Sequence, residues 1–208
     1  DIQTIEKFNS IDFVKEWFGT YDKSHPGVKE ILNGGDYIVS GKTFLFNKYR
    51  QQRKKDFEFS PKQTREIFYH NGWYNIVGFH TRNIPHTGHE YIQRKALELS
   101  KADAILLSPV AGIKKEGDFK TNVIINCYEE LINMGAYYPK GVLLSAFNTY
   151  SRYAGPREAV FTAICRKNFG CNNFIIGRDH TGVGDFYASD ASQKIFDTID
   201  FGMGILFF

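Results

Sequence analysis

Cysteine is scarce in this sequence, and the cysteines present are not arranged in pairs. The three cysteines are Cys127, Cys165 and Cys171, and no two of them form a CxxC motif. A disulfide-stabilised secreted scaffold and a structural zinc site are therefore not indicated. We expect a protein of the reducing cytoplasm.

The sequence also lacks a strong excess of charge and a long apolar run. The net charge is +3, from 26 Lys and Arg against 23 Asp and Glu, which is too small to indicate a nucleic-acid or membrane partner. No stretch approaches the ~20 apolar residues that cross a bilayer, and no secretory signal is recognisable at the N-terminus. With 42% hydrophobic and 16% aromatic residues, the composition is typical of a folded, soluble protein.

The first ~50 residues differ in pattern from the rest and are interpreted as an appendage. A short helix is predicted over 13–18 and a strand over 37–40. A basic run over 48–55 follows, which we interpret as a solvated linker in preference to a partner-binding patch. Ser60 and Pro61 then suit the N-cap and the first residue of a helix over 61–70.

From residue 74 onward, short apolar strands alternate with longer amphipathic helices. This alternation predicts an α/β fold in which helices cover both faces of a parallel sheet. The predicted strands span 74–79, 104–108, 142–146, 173–176 and 204–208, and the predicted helices span 88–100, 121–134, 155–168 and 192–198. Ligands bind beyond the carboxyl ends of such strands, which directs attention to residues 79–89 and 177–185.

The segment 80–89 joins a strand end to a helix start and is rich in hydrogen-bond donors. Arg82 and Asn83 precede the helix, and His86 and His89 lie at its start. The unpaired backbone N–H groups and the dipole of a helix N-terminus favour phosphate, to which imidazoles can also donate. The two histidines could equally form a surface pair or bind a metal, although zinc is less favoured because no third ligand is evident nearby.

Two further segments are candidates for a site. Residues 177–185 contain three glycines, which let a backbone approach a ligand closely, although their Arg-Asp pair could be an ordinary loop salt bridge. Residues 152–159 open a helix, and there a structural pair of Arg157 and Glu158 is the simpler interpretation.

Together, the three segments resemble motifs of the ATP sulfurylase (sulfate adenylyltransferase) family. Residues 80–89 resemble QTRNPxHxxH, residues 152–159 resemble RYAGPREA, and residues 177–185 resemble GRDHAGVGD. The resemblance implies a Rossmann-like nucleotidyltransferase fold of the HUP type for a catalytic domain over 59–208, shortened at its C-terminus. Residues 1–58 are implied to be the remnant of an N-terminal PUA-like domain and its linker.

The resemblance also implies roles for individual residues. Arg82 would anchor the acceptor anion, and His86 and His89 would contact the phosphates. The implied catalytic residues are Thr81, Arg82, Asn83, His86 and His89; those binding nucleotide are His80, Asn83, His86, His89, Gly177, Arg178, Asp179 and His180; those binding the oxyanion are His80, Arg82 and Thr181. No residue is assigned to a metal.

The activity implied by the resemblance is adenylyl transfer from ATP to sulfate, which gives adenylyl sulfate (APS) and pyrophosphate by in-line displacement at the α-phosphorus. Mg²⁺ would accompany ATP, and a homo-oligomer is compatible with the resemblance. His80 replaces the family glutamine and Thr181 the family alanine, both at the implied oxyanion pocket. Transfer to a phosphonate or phosphate ester, and a non-catalytic nucleotide-binding remnant, are therefore the alternatives.

Overall fold

The computed structural model describes residues 1–44, 57–113, 117–177, 180 and 182–208. The whole predicted basic linker over 48–55, together with Arg178, Asp179 and Thr181, lies outside the described residues. The described chain forms a two-stranded antiparallel sheet and a five-stranded parallel sheet.

Seven strands and seven helices are present within the described ranges. The strands are β1 (Ile2–Lys7), β2 (Tyr37–Gly41), β3 (Ile76–Thr81), β4 (Ala104–Pro109), β5 (Gly141–Leu144), β6 (Asn173–Ile176) and β7 (Gly204–Phe207). The helices are α1 (Ser10–Phe18), α2 (Pro26–Leu32), α3 (Pro61–His70), α4 (Thr87–Leu99), α5 (Thr121–Asn133), α6 (Pro156–Asn168) and α7 (Ala191–Phe196). None of the described helices combines the length and the apolar character needed to cross a membrane.

The parallel sheet has the strand order β5-β4-β3-β6-β7. The chain enters at the central strand β3, moves outward through β4 and β5, and then returns to the other side of β3 with β6 and β7. The order therefore reverses between β3 and β6. In open α/β sheets this reversal leaves a crevice at the carboxyl ends of the two strands.

Helices cover both faces of the sheet because successive strand residues point to opposite sides. Val77 and Ile105 belong to the cluster that α4 and α5 cover. Ile76, Leu106 and Phe174 belong to the clusters that α3, α6 and α7 cover. The predicted parallel sheet with helices on both faces is confirmed.

The strand and helix boundaries follow the sequence prediction closely, with one difference that affects the site. The helix Pro61–His70 and the strand Asn173–Ile176 have the predicted bounds, and Ser60 forms a capping box with Gln63. Strand β3, however, continues to Thr81 rather than ending at residue 79. His80 and Thr81 are therefore held in register opposite β4 rather than in a loop.

The N-terminal part contains two elements that the sequence pattern did not predict, β1 and α2. Helix α2 is capped by His25, whose Nδ1 accepts the Val28 N–H, and histidine is not among the preferred N-cap residues. Buried Phe18 and Val28 pack against Ala154, in the segment that precedes α6. The N-terminal part thus contacts the region of the larger sheet, and the domain boundary at residue 58 stays a prediction.

Candidate active site

A cleft of about 190 Å³ opens beyond the carboxyl ends of β3 and β6, where the strand order reverses. It brings together the two segments that the sequence singled out on these strands. The lining residues are Phe79, His80, Thr81, Arg82, Asn83, His89, Ile92, Ser151, Ile175, Gly177 and His180. None of these described lining residues carries a carboxylate.

Four side-chain nitrogen atoms of the cleft are buried and have no hydrogen-bond partner in the described part of the chain. They are His80 Nδ1, Arg82 Nη1, His89 Nδ1 and His180 Nε2. A buried polar atom left unpaired costs about 1–3 kcal/mol, so such atoms are rare unless a ligand pairs with them. A guanidinium nitrogen can only donate, and an imidazole nitrogen donates when protonated. The cleft is therefore suited to a ligand rich in acceptor oxygens.

The end of β3 is shaped by a turn that Thr81 closes. The Thr81 hydroxyl oxygen accepts the backbone N–H of Asn83 at 3.0 Å. Thr81 is itself buried, whereas Asn83 is exposed at the mouth of the cleft. The hydroxyl thus sets the path of the chain through Arg82, as serine and threonine do in tight turns.

Arg82 rests on the segment 152–159. Its guanidinium carbon lies 5.2 Å from the centre of the Tyr153 ring. Tyr153 has a φ of 60°, in the left-handed region that a bulky side chain rarely adopts. This backbone conformation is held because the buried Glu158 carboxylate accepts N–H groups on both sides of it, from Arg152 at 3.0 Å and Ala154 at 3.2 Å.

Glu158 does not form the expected pair with Arg157. Its Oε1 lies 3.8 Å from Arg152 Nη1, and the side chain turns inward toward the loop instead. Burial raises the pKa of Glu158, an effect opposed by the Arg152 and Ala154 N–H groups and by the Arg152 charge. The segment 152–159 therefore supports Arg82 from behind. None of its residues lines the cleft, although the preceding residue, Ser151, does.

His25 supports the same loop from the N-terminal part of the chain. Its Nδ1 accepts the Val28 N–H, which leaves the proton on Nε2. Nε2 then donates to the Tyr153 carbonyl at 3.0 Å and lies 3.2 Å from the Tyr187 hydroxyl. Burial lowers the pKa of His25, which favours this neutral tautomer.

The structure separates the roles of the two histidines at the start of α4. His86 is exposed and caps the helix, because its Nδ1 accepts the His89 N–H at 3.4 Å. The two rings stack with centroids 3.8 Å apart, and only His89 lines the cleft. Burial, followed by the neighbouring His86, lowers the pKa of His89. His86 lies on the other side, at a groove between α4 and α5.

His80 and His180 face each other across the cleft, with ring centroids 6.3 Å apart. The pKa of His80 is well below its ordinary value of 6.5, first through burial and then through the charges of Arg166, His180 and Arg82. Burial and the Arg82 charge lower the pKa of His180 to about 4. Both imidazoles are therefore neutral at pH 7, and positive charge comes from the arginines.

Two residues near the site were not singled out from the sequence. Ser151 lines the cleft, and Arg166 of α6 lies buried next to His80. The position of Arg166 in a predicted helix gives no indication that its side chain is buried.

A protein-bound metal is not supported by the described residues. No group of three or more His, Cys, Asp or Glu side chains there is arranged to hold an ion. Mg²⁺ prefers oxygen ligands. The unpaired nitrogen donors of this cleft suit instead the oxyanion, such as a phosphate, that would bind the Mg²⁺.

We predict that Glu158→Gln lowers the free energy of unfolding by about 1–3 kcal/mol, because an amide keeps one acceptor oxygen for the loop N–H groups but loses the second acceptor and the negative charge beside Arg152. Urea denaturation at pH 7 measures the change. Glu98→Gln is the matched control, since Glu98 is exposed and, among the described residues, pairs with Lys95 alone, and it should change stability by less than about 0.5 kcal/mol. Equal losses in the two variants would contradict this role of Glu158.

We also predict that stability falls as the pH is lowered from 6.5 to about 4. The unfolded chain binds a proton at His180 below pH 6.5, whereas the folded chain resists it until about pH 4, so unfolding takes up protons in that window. His180 accounts for about 3 kcal/mol of the free energy of unfolding lost across this window. Urea denaturation at several pH values in this window gives the free energy of unfolding as a function of pH. Its slope against pH should be smaller for His180→Gln, whereas His70→Gln, at an exposed position, should keep the wild-type slope. An unchanged slope in His180→Gln would refute the assignment.

Comparisons with known proteins agree with the motifs. The ATP-sulfurylase family model matches residues 55–208. Curated sulfate adenylyltransferases from Pyrococcus abyssi and Thermococcus onnurineus are 44% and 42% identical to this chain, over 100% and 99% of its length. The matches cover only 53% and 54% of those relatives, so the chain spans about half their length.

A solved structure shares the fold. The hexameric APS kinase from Thiobacillus denitrificans superposes with a TM-score of 0.55 at 19% sequence identity, over 84% of this chain and 31% of that chain. At this identity the likeness concerns the α/β architecture alone. The family match over most of the sequence, together with the close relatives, shows that the chain belongs to the ATP-sulfurylase family.

Proposed function

We propose that the cleft binds ATP and sulfate and transfers the adenylyl group to sulfate, giving APS and pyrophosphate. The observation that carries the proposal is the convergence of four unpartnered, buried nitrogens on one cleft at the carboxyl ends of β3 and β6. The relatives described as sulfate adenylyltransferases support the same reaction.

The acceptor is proposed to bind between Arg82 and His80. Arg82 supplies a permanent charge and a planar fork that matches two oxygens of a tetrahedral anion. Sulfate is already fully ionised at neutral pH, so its attack on the α-phosphorus needs no general base. The protein must instead hold two anions in line and stabilise the charge that develops between them.

The phosphates of ATP are proposed to lie at the N-terminus of α4. His89 faces the cleft there, and the dipole of this 13-residue helix favours negative charge at its first turn. His86 would fix the His89 ring by stacking and capping. Gly177 and His180 line the opposite wall, and the proposed nucleotide contacts of Arg178 and Asp179 concern residues outside those described. Mg²⁺ would be carried by the phosphates.

The protonation state of His80 is compatible with sulfate as the acceptor. The family glutamine offers a neutral donor, and an imidazole whose pKa lies well below 6.5 also offers a neutral donor at pH 7. The replacement of glutamine by His80 therefore preserves the charge of the pocket. Thr181, the second departure from the family motif, lies outside the described residues.

The reaction is tested by measuring AMP and pyrophosphate after adding molybdate to the protein with Mg²⁺ and ATP. We predict steady cleavage of ATP, because an adenylyl molybdate product would hydrolyse at once. Arg82→Met should abolish this cleavage, whereas Arg65→Met, which removes an exposed arginine on α3, should not. ATP binding without any AMP at high protein concentration would contradict the proposal and favour a nucleotide-binding role.

We further predict that His89→Ala lowers kcat by roughly 10²-fold with a smaller change in the KM for ATP, as expected for loss of one preorganised donor. His86→Asn keeps a capping acceptor and should retain the stability of α4. Steady-state kinetics and thermal unfolding of both variants measure the effects. A His89→Ala protein with normal kcat and a lower Tm would place His89 in packing alone.

A further inference from the structure

Arg166 is a fully buried cation without a hydrogen-bonding partner in the described part of the chain. Its side chain is 0% exposed, and its Nε, Nη1 and Nη2 atoms are all unpaired. The guanidinium carbon lies 4.3 Å from the centre of the Phe147 ring and 4.9 Å from that of Phe169. These aromatic faces offset part of the desolvation cost, but a buried charge normally also has a counterion.

Among the described residues, the ionisable neighbours of Arg166 do not supply that counterion. Burial raises the pKa of the Cys171 thiol to about 12, and burial also raises the pKa of Cys165. Both thiols are therefore uncharged at pH 7. Burial lowers the pKa of Arg166 to about 10, which leaves the guanidinium charged under the same conditions.

The position of Arg166 follows from the alternation of residues along β3. Ile76, Gly78 and His80 point to the face that α6 covers. The stem of Arg166 passes over Gly78, where a Cβ would lie 3.1 Å from Arg166 Cγ and from Cys171 Sγ. Glycine in this central strand thus leaves the space through which a long cation reaches the carboxyl end of the sheet.

Arg166 and His80 share one aromatic neighbour. The His80 ring centroid lies 6.1 Å from that of Phe147, the ring on which the Arg166 guanidinium rests. Apart from burial, the Arg166 charge is the largest influence that lowers the pKa of His80. Because Arg166 is not among the residues that line the cleft, its charge acts there from behind His80.

We propose that the anion bound beside His80 is the counterion of Arg166, so that this buried arginine is a positioning residue that confers anion affinity on the cleft. The proposal rests on the oxyanion site proposed above. A charge surrounded by apolar groups acts over a longer distance than an exposed one, and salt screens it less. The unpaired cation lowers the stability of the empty protein, and the bound anion restores it.

The test compares Arg166→Met and Arg166→Lys with the wild type. Methionine keeps an unbranched stem over Gly78 without the charge, and lysine keeps the charge without the planar fork. Arg65→Met is the matched control, because it removes an exposed arginine that bonds to the Asn168 carbonyl at the end of the same helix α6. Calorimetry with inorganic sulfate and with pyrophosphate measures binding, thermal unfolding with and without sulfate measures stability, and pyrophosphate release gives kcat and the KM for sulfate.

We predict that Arg166→Met weakens sulfate binding by roughly tenfold or more. The KM for sulfate should rise more than kcat falls, and the Tm without sulfate should stay the same or increase, because a desolvated charge has been removed. Arg166→Lys should recover part of the affinity, and Arg65→Met should bind sulfate as the wild type does.

Several results would overturn the inference. A folded Arg166→Met protein with normal sulfate affinity would show that the charge does not serve the anion, and failure of this variant to fold would show that the guanidinium stabilises the core. A wild-type protein that binds no sulfate would also overturn it. Sulfate binding that depends on Arg166 without any turnover would instead refute the proposed function and leave the inference standing.

Discussion

The alternation of side chains at the end of β3 is the constraint on which the site depends. Because the strand continues to Thr81 in register with β4, its last residues point alternately to the two faces of the sheet. Phe79 contacts His89 of α4 on one face, whereas His80 lies among Phe147 and His180 on the other. The end of β3 thereby brings hydrogen-bond donors from both faces of the sheet, His89 on one and His80 and His180 on the other, to a single cleft.

Residues that do not line the cleft hold the lining residue Arg82 in place. Arg82 rests on Tyr153, and the left-handed backbone of Tyr153 persists because Glu158 and His25 bind the polar groups around it. His25 belongs to the N-terminal part, which is thereby connected to Arg82 through a single intervening residue. A strained backbone conformation persists only where the surrounding residues hold it in place, as Glu158 and His25 do for Tyr153.

The charge distribution suits an oxyanion better than a metal. Burial lowers the pKa of His80, His89 and His180, and neighbouring arginine charges lower it further at His80 and His180. The imidazoles of His80 and His180 are therefore neutral donors at pH 7. The permanent charge resides on Arg82, at the cleft, and on Arg166, behind it. Such a site suits an anion, and no described lining residue competes as a carboxylate.

The sequence by itself determined the parallel α/β fold, because the apolar strands and amphipathic helices have distinct periods that depend on local pattern alone. It also indicated the two segments that meet at the cleft, since the carboxyl ends of parallel strands share one edge. Only the tertiary structure decided that His86 caps α4 while His89 faces the cleft, and that Glu158 bonds to the loop at Tyr153. The burial of Arg166 over Gly78 was likewise decided there, because burial and pairing depend on residues far apart in the chain that only the packed fold brings together.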